Sequence, residues 1–321
     1  MIKTSRYRHE TSDLHSNLQR KIIYAFPFNI EFDALETIVH DSSDIVDKFI
    51  ILESNYSAYG DPKPRRLHKR LQNDSSYLKE FREKIVYVFL DHFPEDGRKD
   101  GWIADRHIRA SLGTLGVKSI INTLSPHDII LVTDIDEIIS RETILKLKSQ
   151  NLPSEPFGMD FYWSIYGYFW RLPKPTRTVN GCTIKMLKYA FDFDTHALRD
   201  WQMSRRKIQV EGYVTLFDIP NKVFYFPRAG WHCSWCFTPK NVAIKLISAQ
   251  NGDFPRWGDY PEKRSITYIK NNIKNGLWFD GKSLGAVNLN MLDPDFAPQH
   301  VLKNFKKYEH IIRNKYENET L

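Results

Sequence analysis

One apolar run, "IILVTDIDEII", carries three carboxylates: Asp134, Asp136 and Glu137. Carboxylates are rarely buried without a partner. The acids must therefore lie where a strand runs out, or beside positive charge. Asp134 and Asp136, one residue apart at a strand end, can aim oxygens at one hard cation, Mn²⁺ or Mg²⁺, with a ligand's phosphates completing its shell. His232 offers a neutral imidazole nitrogen to the same ion. Asp253 and Asp259 flank an irregular loop, "NGDFPRWGDYPEKR". A carboxylate facing a crevice suits general-base work. Asp259 is equally placed to cap the helix that follows it. The plainer readings are a solvated loop for the paired aspartates and a structural role for the histidine.

The same region holds "GWHCSWCF", with Cys233 and Cys236; Cys182 is the third cysteine of the chain. Structural zinc normally takes four ligands of set spacing, and only Cys182 remains to add. A local Cys233–Cys236 bridge, a bridge to Cys182, zinc and simple burial all stay open. Aromatic residues such as Trp163, Tyr166, Trp170, Trp231 and Trp235 are plentiful in the second half. Most belong to a core. One or two near a crevice would make a platform for sugar rings.

To hold such groups the chain needs a scaffold. Its 321 residues, 41% hydrophobic and 26% charged, fit a globular protein with a substantial core. The net charge of +7 is modest and spread along the chain. It suits an anionic small molecule better than nucleic acid, for which no motif is present. No stretch reaches the roughly 20 apolar residues of a membrane span, and the polar N-terminus is no secretory signal. The expectation is a soluble chain, cytoplasmic by default, or in the Golgi lumen if an anchor lies upstream.

Residues 1–20 read as a loose segment, and 21–321 as one domain. Within it, apolar strands at about 21–26, 46–53, 84–90 and 127–134 alternate with helices at about 31–39, 100–124 and 140–149. That pattern predicts an α/β fold, a Rossmann-like, mostly parallel sheet flanked by helices. Ligands of such sheets bind at the carboxyl ends of the strands, where Glu53 and Asp134 fall. The half from 151 to 321 is aromatic-rich. Helices are expected after Thr238-Pro239, before Gly276, and over about 298–316.

Several stretches together carry a resemblance: "ILESNYSAYGDPKP", "VYVFLDHFPEDGRKDGWIAD", "TDIDEI", "GCTIKML" and "AGWHCSWCFTPKNVAIKLISAQNGDFPRWGDY". Over about residues 21–310 the chain is similar to glycosyltransferase family 17. The resemblance implies a GT-A-like fold, with 21–150 as the nucleotide-sugar half and 151–321 on the acceptor side. It implies UDP-GlcNAc as donor, a divalent metal (usually Mn²⁺) and transfer with inversion. The acceptor it implies is a mannose-containing glycan of N-glycan core type, joined in β-1,4 linkage. The family's D-x-D falls on Asp134 and Asp136, and the nucleoside contact at the end of the second strand falls on Glu53 and Ser54. Animal members carry an anchor and stem that this chain does not show. Residues 192–213, with Arg199, Arg205 and Arg206, depart from the family pattern.

The chemistry stands on its own terms. Expelling UDP from an anomeric carbon builds negative charge on the diphosphate, which a bridging cation stabilises. Arg109 and Arg199 are candidates for further contacts to the nucleotide. Inversion needs a base on the acceptor hydroxyl, for which Asp253 comes first and Asp259 second. Rival readings are a glycosyltransferase with another donor or acceptor, a glycan-binding protein without catalysis, and a glycoside hydrolase with paired carboxylates.

Overall fold

The computed structural model describes residues 20–152, 154–201, 222–248, 256–293 and 295–320. The segment 1–20, apart from Arg20, lies outside these residues, as do Asp253, Arg205 and Arg206.

Four strands form the parallel half of the sheet: β1 Ile22–Phe28, β2 Lys48–Ser54, β3 Ile85–Leu90 and β4 Ile129–Val132. Their spatial order is β4-β1-β2-β3. Alternate residues of β1 serve opposite layers, because side chains alternate across a strand. Ile22, Tyr24 and Phe26 pack with Leu35, Ile38 and Val39 of α1 (Phe32–Ser42). Ile23 and Ala25 pack on the other face. Their neighbours include Ile108 of α3 (Gly101–Ser111) and the π turn Leu112–Val117 that continues it. The strands are buried on both sides, as a parallel sheet requires. Helix α2 (Arg66–Asn73) follows β2, and α4 (Arg141–Ser149) follows the acidic turn. Asp100 caps α3 and Ser140 caps α4, each accepting from an amide of its helix's first turn.

The second half extends the same sheet, to ten strands in all. Strands β6 (Phe157–Ile165), β7 (Gly167–Arg171), β8 (Thr176–Thr183) and β10 (Val287–Asn288) add antiparallel neighbours, and β8 joins them to β4. The helix-flanked α/β architecture is as expected. Parallel pairing is concentrated in the first half of the chain, whereas the aromatic half pairs mainly by antiparallel ladders. Here the long strand β9 (Phe224–Ser234) runs parallel to β6, and it also meets the short β5 (Glu137–Ile139) in antiparallel register. A Cβ at Gly230 would stand 2.0 Å from the Ile138 carbonyl oxygen. Only glycine lets β9 approach β5 so closely.

Helices α5 (Ile184–Phe191) and α6 (Thr195–Arg199) cover the layer of α3. A third core joins the ends of β6 and β7 to α7 (Pro239–Ser248) and α8 (Ile266–Asn275). Gly276, at φ +60°, ends α8 as expected. The single tail helix expected over 298–316 is instead two, α9 (Gln299–Lys303) and α10 (Phe305–Ile312), broken at Asn304. Among the described residues no helix is long and apolar enough to cross a membrane.

Candidate active site

The acids of the D-x-D stand where β4 leaves the parallel strands. A turn closes from the Glu137 amide to the Asp134 carbonyl at 2.9 Å. The buried Tyr24 hydroxyl holds the turn from below. It donates to the Glu137 carbonyl at 3.0 Å and accepts from the Ile139 amide at 3.2 Å. Glu137 then enters β5, where it sits opposite His232 of β9. That pairing brings a histidine from far along the chain to the acidic turn.

The positive charge that the sequence demanded is present, and it comes from three elements. Arg109 of α3 grips Asp134 with Nε to Oδ1 at 3.0 Å and Nη2 to Oδ2 at 2.9 Å. Its other nitrogen, Nη1, donates to Asp105. Arg199 of α6 forks onto Glu137, at 2.8 and 3.1 Å, and stands 3.6 Å from Asp134. Lys245 of α7 donates to Asp136 Oδ2 at 3.0 Å and lies 3.6 Å from Glu31. Burial alone would lift the Asp134 carboxyl, but Arg109 and Arg199 outweigh it and hold the group well below the usual carboxylate range. Asp105, with one oxygen buried and without a hydrogen-bond partner among the described residues, is pushed up to about 6, by burial first.

These contacts revise the expected roles. Asp134 has both oxygens in the arginine fork, so of the two acids expected to hold a metal only Asp136 keeps an oxygen without a hydrogen bond among the described residues. Arg109 and Arg199, expected on the nucleotide, are instead committed to the acids. Among the described residues Asp136 Oδ1 accepts no hydrogen bond, and it lies 3.7 Å from His232 Nε2. The imidazole is oriented through Nδ1 by Thr176 Oγ1 at 3.2 Å, and its Nε2 meets Ser234 Oγ at 2.9 Å. Asp136 and His232 thus fit a hard cation as a two-residue seat. No group of three or more His, Cys, Asp or Glu that could hold a metal occurs among the described residues. A cation seated there would draw the rest of its shell from a ligand's phosphates and water.

Glu53, expected at the nucleoside, is fully buried and serves α2. Its oxygens accept from the Leu67 amide at 2.8 Å, the His68 amide at 3.1 Å and the Tyr87 hydroxyl at 2.8 Å. A carboxylate at a helix start satisfies orphan amides and the helix dipole together. Ser54 Oγ donates to the Tyr56 carbonyl. Asp259 is closed in a reciprocal box with Arg256. It accepts from the Arg256 amide at 2.8 Å and Nε at 2.9 Å, which leaves no free oxygen for a general base. It caps a short 3₁₀ turn rather than the helix beyond. Asp253 falls outside the described residues. Cys233 and Cys236 are bonded to each other, and Cys182 is free and buried, which removes the zinc alternative.

Two basic residues at the site escape the sequence reading. Lys245 binds Asp136 across a separation of 109 residues, and no local signal marks it. Lys63 lies within electrostatic reach of Glu53 and Glu31, at the carboxyl ends of β2 and β1, and its Nζ is buried with no hydrogen-bond partner among the described residues. Burial pulls its amine down to about 8, against the opposing carboxylates. The run "KPRR" at residues 63–66, just past a strand end, was the available sign.

An α/β sheet with a carboxylate and a histidine at the carboxyl ends of its parallel strands fits a nucleotide-dependent enzyme. The sequence matches glycosyltransferase family 17 over residues 8–176, and the chain belongs to that family. Rattus norvegicus and Homo sapiens relatives are both named β-1,4-mannosyl-glycoprotein 4-β-N-acetylglucosaminyltransferase. The rat protein is 41% identical over 302 residues, 92% of this chain and 55% of its own length. The human one is 40% identical over 303 residues, 93% of this chain and 56% of its own. The chain thus spans about half the length of these curated relatives. Among solved structures, a mannosyltransferase from Pyrobaculum calidifontis in complex with GDP-Man and Mn²⁺ matches at 8% identity and a TM-score of 0.38. That match covers 81% of this chain and 76% of the other.

Proposed function

We propose that this chain transfers N-acetylglucosamine from UDP-GlcNAc to a mannose of an N-glycan, in β-1,4 linkage and with inversion, using Mn²⁺ or Mg²⁺. The observation that carries the reading is the Asp136–His232 seat at the carboxyl end of the parallel strands, in a chain of this family. The names of the relatives support the donor sugar, the acceptor and the linkage. A divalent cation held by Asp136 and His232 would neutralise charge growing on the departing diphosphate.

The chain's own residues do the rest. Arg109 and Tyr24 fix the turn so that Asp136 keeps its heading. Lys245 holds one oxygen of Asp136 and leaves the other open. Lys63, an ammonium without a hydrogen-bond partner among the described residues, takes a phosphate oxygen of the donor. Glu53 and Ser54 shape the nucleoside side through the segments they anchor. Asp253 remains the proposed base for the acceptor hydroxyl.

The test is incubation of the protein with UDP-GlcNAc, Mn²⁺ and a biantennary N-glycan, with and without chelator. One added N-acetylhexosamine is expected, β-linked to O4 of a mannose by NMR, and absent with chelator. Transfer from a different UDP-sugar only, or none at all, would overturn the reading.

A further inference from the structure

A cavity of about 420 Å³ opens on the aromatic half of the sheet. Its walls include Tyr162 and Trp163 of β6, Leu172 and Pro175 from the β7–β8 connection, Arg228 of β9 and Val287 of β10. It is separate from the Asp136–His232 seat but shares a wall with it. The Trp163 ring stacks on His232, with centroids 6.1 Å apart and planes at 17°.

The lining is mixed in a way that suits one ligand class. Aromatic and proline surfaces match the apolar C–H face of a pyranose. The rim adds the Arg228 guanidinium as a donor, as its hydroxyls require, whereas Asp160 and Arg171 on the same wall are committed to Arg177 and to Ser164 with the Asp295 and Phe296 carbonyls. The volume falls within the roughly 300–1,000 Å³ of small-molecule sites. A second observation points the same way. Arg228 has φ +49°, a left-handed backbone that is uncommon for a residue with a side chain. It lies where the β6–β9 register shifts, between the partners of Met159 and Phe161. Such irregularities re-aim a side chain, and backbone strain of this kind gathers at ligand clamps. Here it carries Arg228 onto the cavity wall, beside the Tyr162 hydroxyl.

We propose that this cavity seats a hexopyranose ring of the acceptor glycan and presents its neighbour, past Trp163, to the Asp136–His232 centre. The inference rests on the transferase reading and names the acceptor's place within it.

Two variants test it without threatening the fold. Val287, an exposed edge residue, becomes Trp to narrow the cavity. Arg228→Gly removes the guanidinium and relieves the left-handed backbone, so its thermal midpoint should not fall. Each variant is expected to raise the acceptor KM, and the Kd for a free biantennary N-glycan by saturation-transfer NMR, tenfold or more. KM for UDP-GlcNAc and its slow hydrolysis without acceptor should stay unchanged. Wild-type acceptor affinity in both variants, or an equal loss of donor affinity, overturns the proposal. So does a wild-type protein that binds no glycan. A wild-type protein that binds the glycan, loses it in both variants, yet transfers nothing from UDP-GlcNAc keeps the cavity's role and refutes the transferase reading alone.

Discussion

Asp134 and Arg109 meet as a two-pronged ion pair, 3.0 Å at one prong and 2.9 Å at the other, with Asp105 on the arginine's far side. The first acid of the D-x-D is therefore an anchor for the turn. Removing one partner of a half-buried pair leaves the other charge uncompensated, typically at about 3–5 kcal/mol. Arg109→Ala should lower the unfolding free energy by that order in urea titrations. Arg109→Lys should recover only part, since an ammonium cannot reproduce the fork. A change within about 0.5 kcal/mol for Arg109→Ala would contradict the anchoring role.

Asp136 has the opposite profile. Its main-chain carbonyl, which accepts from the Cys233 amide at 2.9 Å, is untouched by a side-chain change. Lys245 keeps Glu31 nearby. Asp136→Ala should fold normally and lose about 10²-fold or more in kcat at saturating Mn²⁺, the equivalent of several kcal/mol. Normal turnover by this variant would exclude Asp136 from the centre.

Lys63 should show a trade between stability and binding. An unpaired buried donor costs about 1–3 kcal/mol, so Lys63→Met should raise stability by about that much at pH 7. The folded-state amine is pulled down to about 8 from 10.5. The unfolded chain therefore holds the extra proton between those values, and wild-type stability should rise with pH across that window. The same variant should weaken UDP binding by calorimetry at least several-fold. Unchanged UDP affinity together with unchanged stability would remove Lys63 from the site.

The tail docks on α1 through two stacked imidazoles. His40 and His300 lie 4.3 Å apart with planes at 5°, and His300 Nε2 meets the Tyr308 hydroxyl at 3.0 Å. Burial, then His40, Lys307 and Lys303, pull His300 down to about 4. Burial is also the main cause lowering His40. Both rings are neutral in the folded state, so the unfolded chain binds protons first. Stability should fall as pH drops from about 6.5 towards 4. Urea midpoints at pH 7, 5.5 and 4.5 should fall less steeply for His300→Gln than for the wild type. Parallel curves would sink the idea.

Much of the scaffold was legible because it is local. The apolar run 129–132 ending in polar residues marked the end of β4, and Asp100, Ser140 and Gly276 marked helix boundaries by their own chemistry. Helix α2 was missed although Leu67 and Leu71, four apart after Pro64, offered its apolar stripe. The charges around the D-x-D could not be read. Arg109 reaches Asp134 across 25 residues, Arg199 reaches Glu137 across 62 and Lys245 reaches Asp136 across 109. Each contact depends on how whole helices are rotated against the sheet. For the same reason an acid's partner, which decides whether it binds a metal or an arginine, was invisible. The Arg256 lock on Asp259 could not be read, because it is a long side chain folded back on its own turn.

The bond between Cys233 and Cys236 closes a short ring between two arms of the site. One arm ends in His232; the other begins α7, which bears Lys245. A reductant that opened the ring would leave the sheet intact but let these arms drift on either side of Asp136. The bond thereby couples the heading of His232 to the start of the helix that carries Lys245.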